Sequence, residues 1–185
     1  KEVSFGNDGN ISQEKLEDCI NSDLANNFGN LCQRVTAFAI KNCEATIPKI
    51  IEFNQNDLKI LNKFKTNLNL IRDKIDKQDI NFYIDFIVNS LFDANKYFND
   101  EEPWKKKDDI SRLNTIVYTS LEIIRKICYM LYPIIPESSL KALKIFSIEE
   151  KKIELSSIEN HNYLKGGDKI KKIDILFKKI EKNND

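Results

Sequence analysis

Ser12–Lys41, SQEKLEDCINSDLANNFGNLCQRVTAFAIK, decides the fold. Leu16, Cys19, Ile20, Leu24, Phe28, Leu31, Val35 and Phe38 recur along it at spacings of three and four, the period of one face of an α-helix. Ser12 supplies a hydroxyl of the kind that caps a helix N-terminus. The spacing predicts one amphipathic helix of about 30 residues, ending near Lys41. Outward from it, Thr46-Ile47-Pro48 reads as a loop, and Leu58, Leu61, Phe64, Leu68, Ile71 and Ile75 mark a second helix. Asp79 caps a third, very apolar helix carrying Phe82, Phe86, Leu91, Ala94 and Phe98. Past the Pro103-Trp104 turn, a fourth starts near Asp108 and carries Leu113, Ile116, Val117, Leu121, Ile124 and Ile127 until Pro133 and Pro136 stop it. A short helix from Ser138 to Phe146 and an irregular tail complete the chain.

Only the opening residues and parts of the tail alternate with period two, so the expected class is all-α: an antiparallel bundle of four long helices plus a short fifth. Residues 1–11 read as the end of a linker from another domain, 12–150 as the bundle and 151–185 as a tail packing back on it. The opening KEVSFGNDGN is strand-like and then turn-rich. The chain begins with Lys1, and Met130 is its only methionine, so it is expected to be the C-terminal part of a longer protein.

With 185 residues and equal numbers of acidic and basic side chains, the chain has no net field to draw it to nucleic acid or membrane. Any electrostatic site must be local. No apolar run reaches the roughly 18 residues of a membrane span and no signal peptide opens the chain, which reads as soluble and cytosolic. Cys19, Cys32, Cys43 and Cys128 lack CxxC spacing and read as small buried hydrophobes. His161 stands apart from any ligand cluster, and Gly166-Gly167 marks a turn rather than a phosphate loop.

Trp104, the single tryptophan, lies in an acidic-then-basic turn, Asn99-Asp100-Glu101-Glu102-Pro103-Trp104 followed by Lys105, Lys106 and Lys107. In an up-down bundle the first and third helices end at the same pole. Arg34 lies about 10 Å along the axis from Lys41, and Asn30 shares its face four residues earlier. Asn30, Arg34 and Trp104 can therefore converge. A guanidinium fork, an amide and a flat indole suit an unpaired nucleobase, whose stacking is worth about 1–3 kcal/mol. Gly29 inside a helix points to close approach by another group, and Lys96 with Lys105, Lys106 and Lys107 offers phosphate contacts. The plainer alternatives are a solvated Asn30–Arg34 pair, a Trp104 packing cap and a solvated lysine run.

These residues carry a resemblance. The stretches INSDLANNFGNLCQR (Ile20–Arg34), with its Gly-Asn-x-x-x-Arg pattern, and ANKYFNDEEPW (Ala94–Trp104) resemble motifs of the C-terminal, anticodon-binding domain of methionyl-tRNA synthetase, a class I aminoacyl-tRNA synthetase. Glu2–Ser12, Pro133-Ile134-Ile135-Pro136 and Leu176–Glu181 are similar to other parts of that domain, so the resemblance covers essentially the whole chain. It implies that Asn30, Arg34 and Trp104 read the CAU anticodon of methionine tRNAs, while Asn95 and Pro103 shape the turn. An acidic residue often stands in the family where this chain has Asn99, a role its neighbour Asp100 can take, and Lys178-Lys179 replaces a Pro-Arg pair after Phe177. The HIGH and KMSKS signatures that hold ATP are absent, as are the zinc-binding cysteines. The resemblance thus implies ATP and Mg, with Zn as a further possible ion, for a full-length enzyme that charges tRNA with methionine. This segment is expected to need no cofactor, to be non-catalytic by itself, to pack on a catalytic domain of the same chain and to be monomeric. Two rivals remain: an anticodon-binding bundle of the cysteinyl, isoleucyl, leucyl or valyl enzymes, and a helical protein-interaction module anchored by Trp104 and Phe98. Dependence of binding on the anticodon separates them.

Overall fold

The computed structural model describes every residue except Lys1, Glu2, Ser4, Phe5, Asn7, Ile11 and 182–185. The strand-like opening expected of KEVSF rests mainly on residues outside that set. From Ser12, whose hydroxyl accepts from the Lys15 amide, a helical rod runs as α1 (Gln13–Cys19), a π-wound segment (Ile20–Gly29) and α2 (Asn30–Asn42). The rod has the expected ends, but its middle is wound more loosely than the single α-helix predicted from the periodicity. Tertiary contacts hold this segment: Asn95 Nδ2, from another helix, donates to the Asn27 carbonyl at 3.2 Å and to Asn27 Oδ1 at 2.7 Å.

Three long helices complete the bundle: α3 (Gln55–Asp76), α4 (Ile80–Asp100) and α5 (Ile110–Leu131). Each begins on a polar cap. Asn54 and Asp57 form a reciprocal capping box for α3, Asp79 accepts from the Phe82 amide, and Asp109 from the Arg112 amide. α5 stops at Leu131, and Pro136 opens α6 (Pro136–Leu143) rather than only ending its predecessor. Proline fits the first helical position because the amide it lacks has no partner there. The fifth helix thus starts two residues earlier than predicted and closes in a 3-10 turn, Lys144–Phe146.

α5 is the central element, touching α2, α3, α4 and α6. All its residues from Thr115 to Leu131 are buried, including Glu122, Arg125 and Lys126. Burial of such charges is costly unless each is paired and hydrogen-bonded. Arg125 Nε donates to Glu122 at 2.7 Å, and its Nη2 reaches the Ser157 and Asn160 carbonyls at 3.1 and 3.2 Å. Lys126 Nζ donates to the Ile158 carbonyl and, at 2.7 Å, to that of Asn160. Glu122 in turn accepts from the Leu164 amide at 2.7 Å. The chain beyond Ser157 therefore lies along α5, held by side chains that grip its backbone. Farther on, Phe177 meets Phe28, and the amide and carbonyl of Ile180 both bond to the Asn21 side chain.

Candidate nucleic-acid interface

α2 and α4 bring Arg34 and Phe98 side by side, with the guanidinium carbon 5.7 Å from the ring centroid. Arg34 Nη2 donates to Asn99 Oδ1 at 2.6 Å. Phe98 is the hub: Trp104 meets it edge-on, centroids 6.1 Å apart and planes at 71°, and Phe38 meets it in a T at 5.8 Å. An open cleft of about 300 Å³ lies between Arg34, Phe38, Lys41, Asn42, Phe98 and Trp104. Trp104 is 40% exposed.

The turn that presents Trp104 departs from α4 at Glu101. Glu102 takes a left-handed conformation (φ +45°), uncommon for a non-glycine residue, and buried Pro103 starts a single 3-10 turn closed by the Lys105 amide on the Glu102 carbonyl at 2.8 Å. The reversal folds the indole back over Phe98.

The expected site residues separate under this geometry. Arg34 and Trp104 meet through Phe98. Asn30 is exposed, one helical turn before Arg34 and outside the cleft lining. Pro103 opens the 3-10 turn that carries Trp104. Asn95 ties α4 to the π segment at Asn27 and donates to the Leu91 carbonyl at 3.0 Å. At Gly29 a Cβ would lie 3.2 Å from the Leu24 carbonyl oxygen of its own helical rod and, at ordinary contact, 3.7 Å from the Phe177 ring, so the tight neighbour is the rod itself rather than another group. Asn99 itself supplies the acceptor for Arg34, while Asp100 pairs with Lys96 at 2.6 Å. Lys105 pairs with Glu102 at 2.8 Å. Both pairs are exposed and worth at most about 1 kcal/mol, so a phosphate can displace either carboxylate.

Sequence reasoning missed Lys41 and Asn42 on the cleft wall and the cluster behind the turn, where Arg112 joins Asp57 and Glu101. The signal for Arg112 was available: it is one of only four arginines in a chain that otherwise uses lysine. Burial opposes its charge, but the bonds to Asp57 and Glu101 outweigh that and hold its pKa above the ordinary value. Among the described residues no three His, Cys, Asp or Glu side chains come together as a metal site, and the four cysteines are free thiols.

Residues 47–185 match the family model of the anticodon-binding domain of methionyl tRNA ligase. The chain is 35% identical over 159 residues to a methionine–tRNA ligase of Brucella suis biovar 1, covering 85% of this chain and 31% of the relative. It is 34% identical over 183 residues to that of Thermotoga maritima, covering 98% and 29%. The structure superposes on free Mycobacterium tuberculosis methionyl-tRNA synthetase with a TM-score of 0.91 at 30% identity, covering 98% of this chain and 37% of that one. Against the same organism's enzyme in complex with methionyl-adenylate the TM-score is 0.89, covering 96% and 35%. The chain thus spans about a third of the length of these relatives.

Proposed function

Because the chain belongs to the family of anticodon-binding domains of methionyl-tRNA ligase, we propose that its cleft binds the anticodon loop of methionine tRNAs and reads CAU. The observation that carries this reading is the Arg34–Phe98–Trp104 cluster at the mouth of the cleft. Trp104 stacks on an unpaired anticodon base, a contact worth about 1–3 kcal/mol. The Arg34 fork, oriented by Asn99 and backed by Phe98, bonds a base edge or loop phosphate, and Asn30 extends the polar face one turn farther. Lys41 and the displaceable Lys96 and Lys105 meet the loop backbone. In the full-length enzyme a catalytic domain of the same chain activates methionine with ATP and Mg, and this bundle admits only the right tRNA. We place that enzyme in the cytoplasm, as a monomer.

Trp104 is its own reporter. Titration with a CAU anticodon stem-loop is expected to quench its fluorescence, and a stem-loop altered at the first anticodon base to do so at least about 10-fold more weakly in affinity, a difference of 1.4 kcal/mol. Equal response to both RNAs would leave charge attraction without readout and overturn the proposal. In the full-length enzyme, Trp104→Ala is expected to impair tRNA charging while methionine-dependent ATP–pyrophosphate exchange stays nearly unchanged.

A further inference from the structure

Behind the Trp104 turn, one guanidinium ties three helix ends together. Arg112, in the first turn of α5, donates from Nη1 to Asp57 Oδ2 at 2.7 Å and from Nη2 to Asp57 Oδ1 at 2.9 Å. The same Nη2 reaches Glu101 Oε2 at 2.7 Å. Asp57 is fully buried at the start of α3, where it also accepts from the Asn54 amide at 2.8 Å and the Tyr97 hydroxyl at 2.5 Å. Glu101, the C-cap of α4, has its other oxygen on Asn56 at 3.0 Å.

The two carboxylates do different work. Asp57 already has donors from its own cap and from Tyr97, and with Arg112 it forms the fixed point of the cluster. Glu101 is the residue from which the turn departs, and Arg112 stands where the turn has returned to helix. Their ion pair closes the loop that carries Glu102, Pro103 and Trp104. Glu102 occupies a backbone region that non-glycine residues keep only when their surroundings hold them there. With both ends pinned, the reversal is held and the indole stays against Phe98.

We infer that the Arg112–Glu101 pair is a positioning device for Trp104, setting the indole in its base-stacking pose before RNA arrives. The inference rests on the proposed anticodon reading for its purpose, but its geometry can be tested without RNA. Pre-organisation matters because a side chain already ordered in the free protein loses less freedom on binding.

The test compares wild type, Glu101→Ala, and Glu101→Gln, which keeps an acceptor oxygen for Arg112. In the free protein, acrylamide quenching of Trp104 is expected to rise about two-fold in Glu101→Ala and to return most of the way in Glu101→Gln. Unchanged quenching in Glu101→Ala overturns the inference whatever the RNA results. Binding of a labelled CAU stem-loop, followed by anisotropy, is expected to weaken about five- to ten-fold in Glu101→Ala and to weaken no further when that change is added to Trp104→Ala. An equal loss in the Trp104→Ala background shows that Glu101 acts by another route and overturns the positioning role. If wild type fails to prefer CAU, the functional reading fails separately, and the quenching comparison still decides the geometry.

Discussion

Arg34 is oriented by a neutral acceptor. A hydrogen bond from Asn99 fixes one edge of the guanidinium, and Phe98 supports its face, yet no carboxylate in that pair offsets the charge. A phosphate or base acceptor entering the cleft, as proposed, would meet a guanidinium already oriented by Asn99 and Phe98. Two variants separate pose from charge. Arg34→Lys keeps the cation but loses the fork and the ring contact, so CAU stem-loop affinity is expected to fall about 10-fold with the slope of log affinity against log salt unchanged. Arg34→Gln is expected to lower affinity further and to flatten that slope by about 0.7, the share of one phosphate contact on a single strand. A Lys variant that binds as tightly as wild type would leave Arg34 a point charge only. The meeting of Arg34 with Trp104 was legible in the sequence because helical period and antiparallel topology fix which ends share a pole. The intermediary was only half legible: the sequence pairs Phe98 with Trp104 as a candidate surface anchor, yet its spacing is also that of a buried face, and nothing in a one-dimensional pattern shows that one ring serves both core and cleft.

At the scale of elements, the rod from Gln13 to Asn42 carries Asn30 and Arg34, and its phase decides where they point. An apolar spacing of three and four fits both an α-helix and a helix with a π-wound middle, so the ends and the buried face could be read while the winding could not. The segment is tied to Asn95, 68 positions away, a contact that a local pattern cannot report. Asn27 is buried, and its own amide nitrogen has no partner among the described residues, so the Asn95 bonds are what hold that side chain. Asn95→Ala leaves the Asn27 side-chain oxygen unpaired, a loss of about 1–3 kcal/mol. The expected result is a lower denaturation midpoint with faster amide exchange concentrated between Ile20 and Arg34, next to the face proposed to read RNA. Uniform acceleration through α3 and α5 instead would mean that Asn95 supports the bundle at large and has no special hold on the π segment.

For the whole molecule, stability is linked to pH through the tail. The apolar face of α5 was plain in the sequence, but the burial of Glu122, Arg125 and Lys126 was not; residues 157–164 cover them, and their partners are largely backbone carbonyls that leave no mark on composition. His161 completes this contact. Its Nδ1 lies 3.3 Å from Lys126 Nζ and its Nε2 lies 2.9 Å from Asn62 Oδ1, which assigns the proton to Nε2 and leaves Nδ1 as the acceptor. Burial, with Lys126, Lys65 and Arg125 nearby, lowers its pKa from 6.5 to about 4. Burial and Arg125 likewise lower Lys126 to about 7. Both folded values lie below the unfolded ones, so in each window the unfolded chain binds more protons and stability rises with pH. The His161 contribution is complete above pH 6.5 and is lost as pH falls through about 4; that of Lys126 grows from about 7 toward 10.5. Carboxylates also titrate in the acid window, so the decisive comparison is with His161→Gln, which cannot take up the proton. The difference in denaturation midpoint between the two proteins is expected to be constant above pH 6.5 and to shift in favour of the variant as pH falls to 4, with amide exchange rising first at Ile158 and Leu164 in wild type. Parallel pH profiles across that window would show that the tail is held without any proton-linked part from His161.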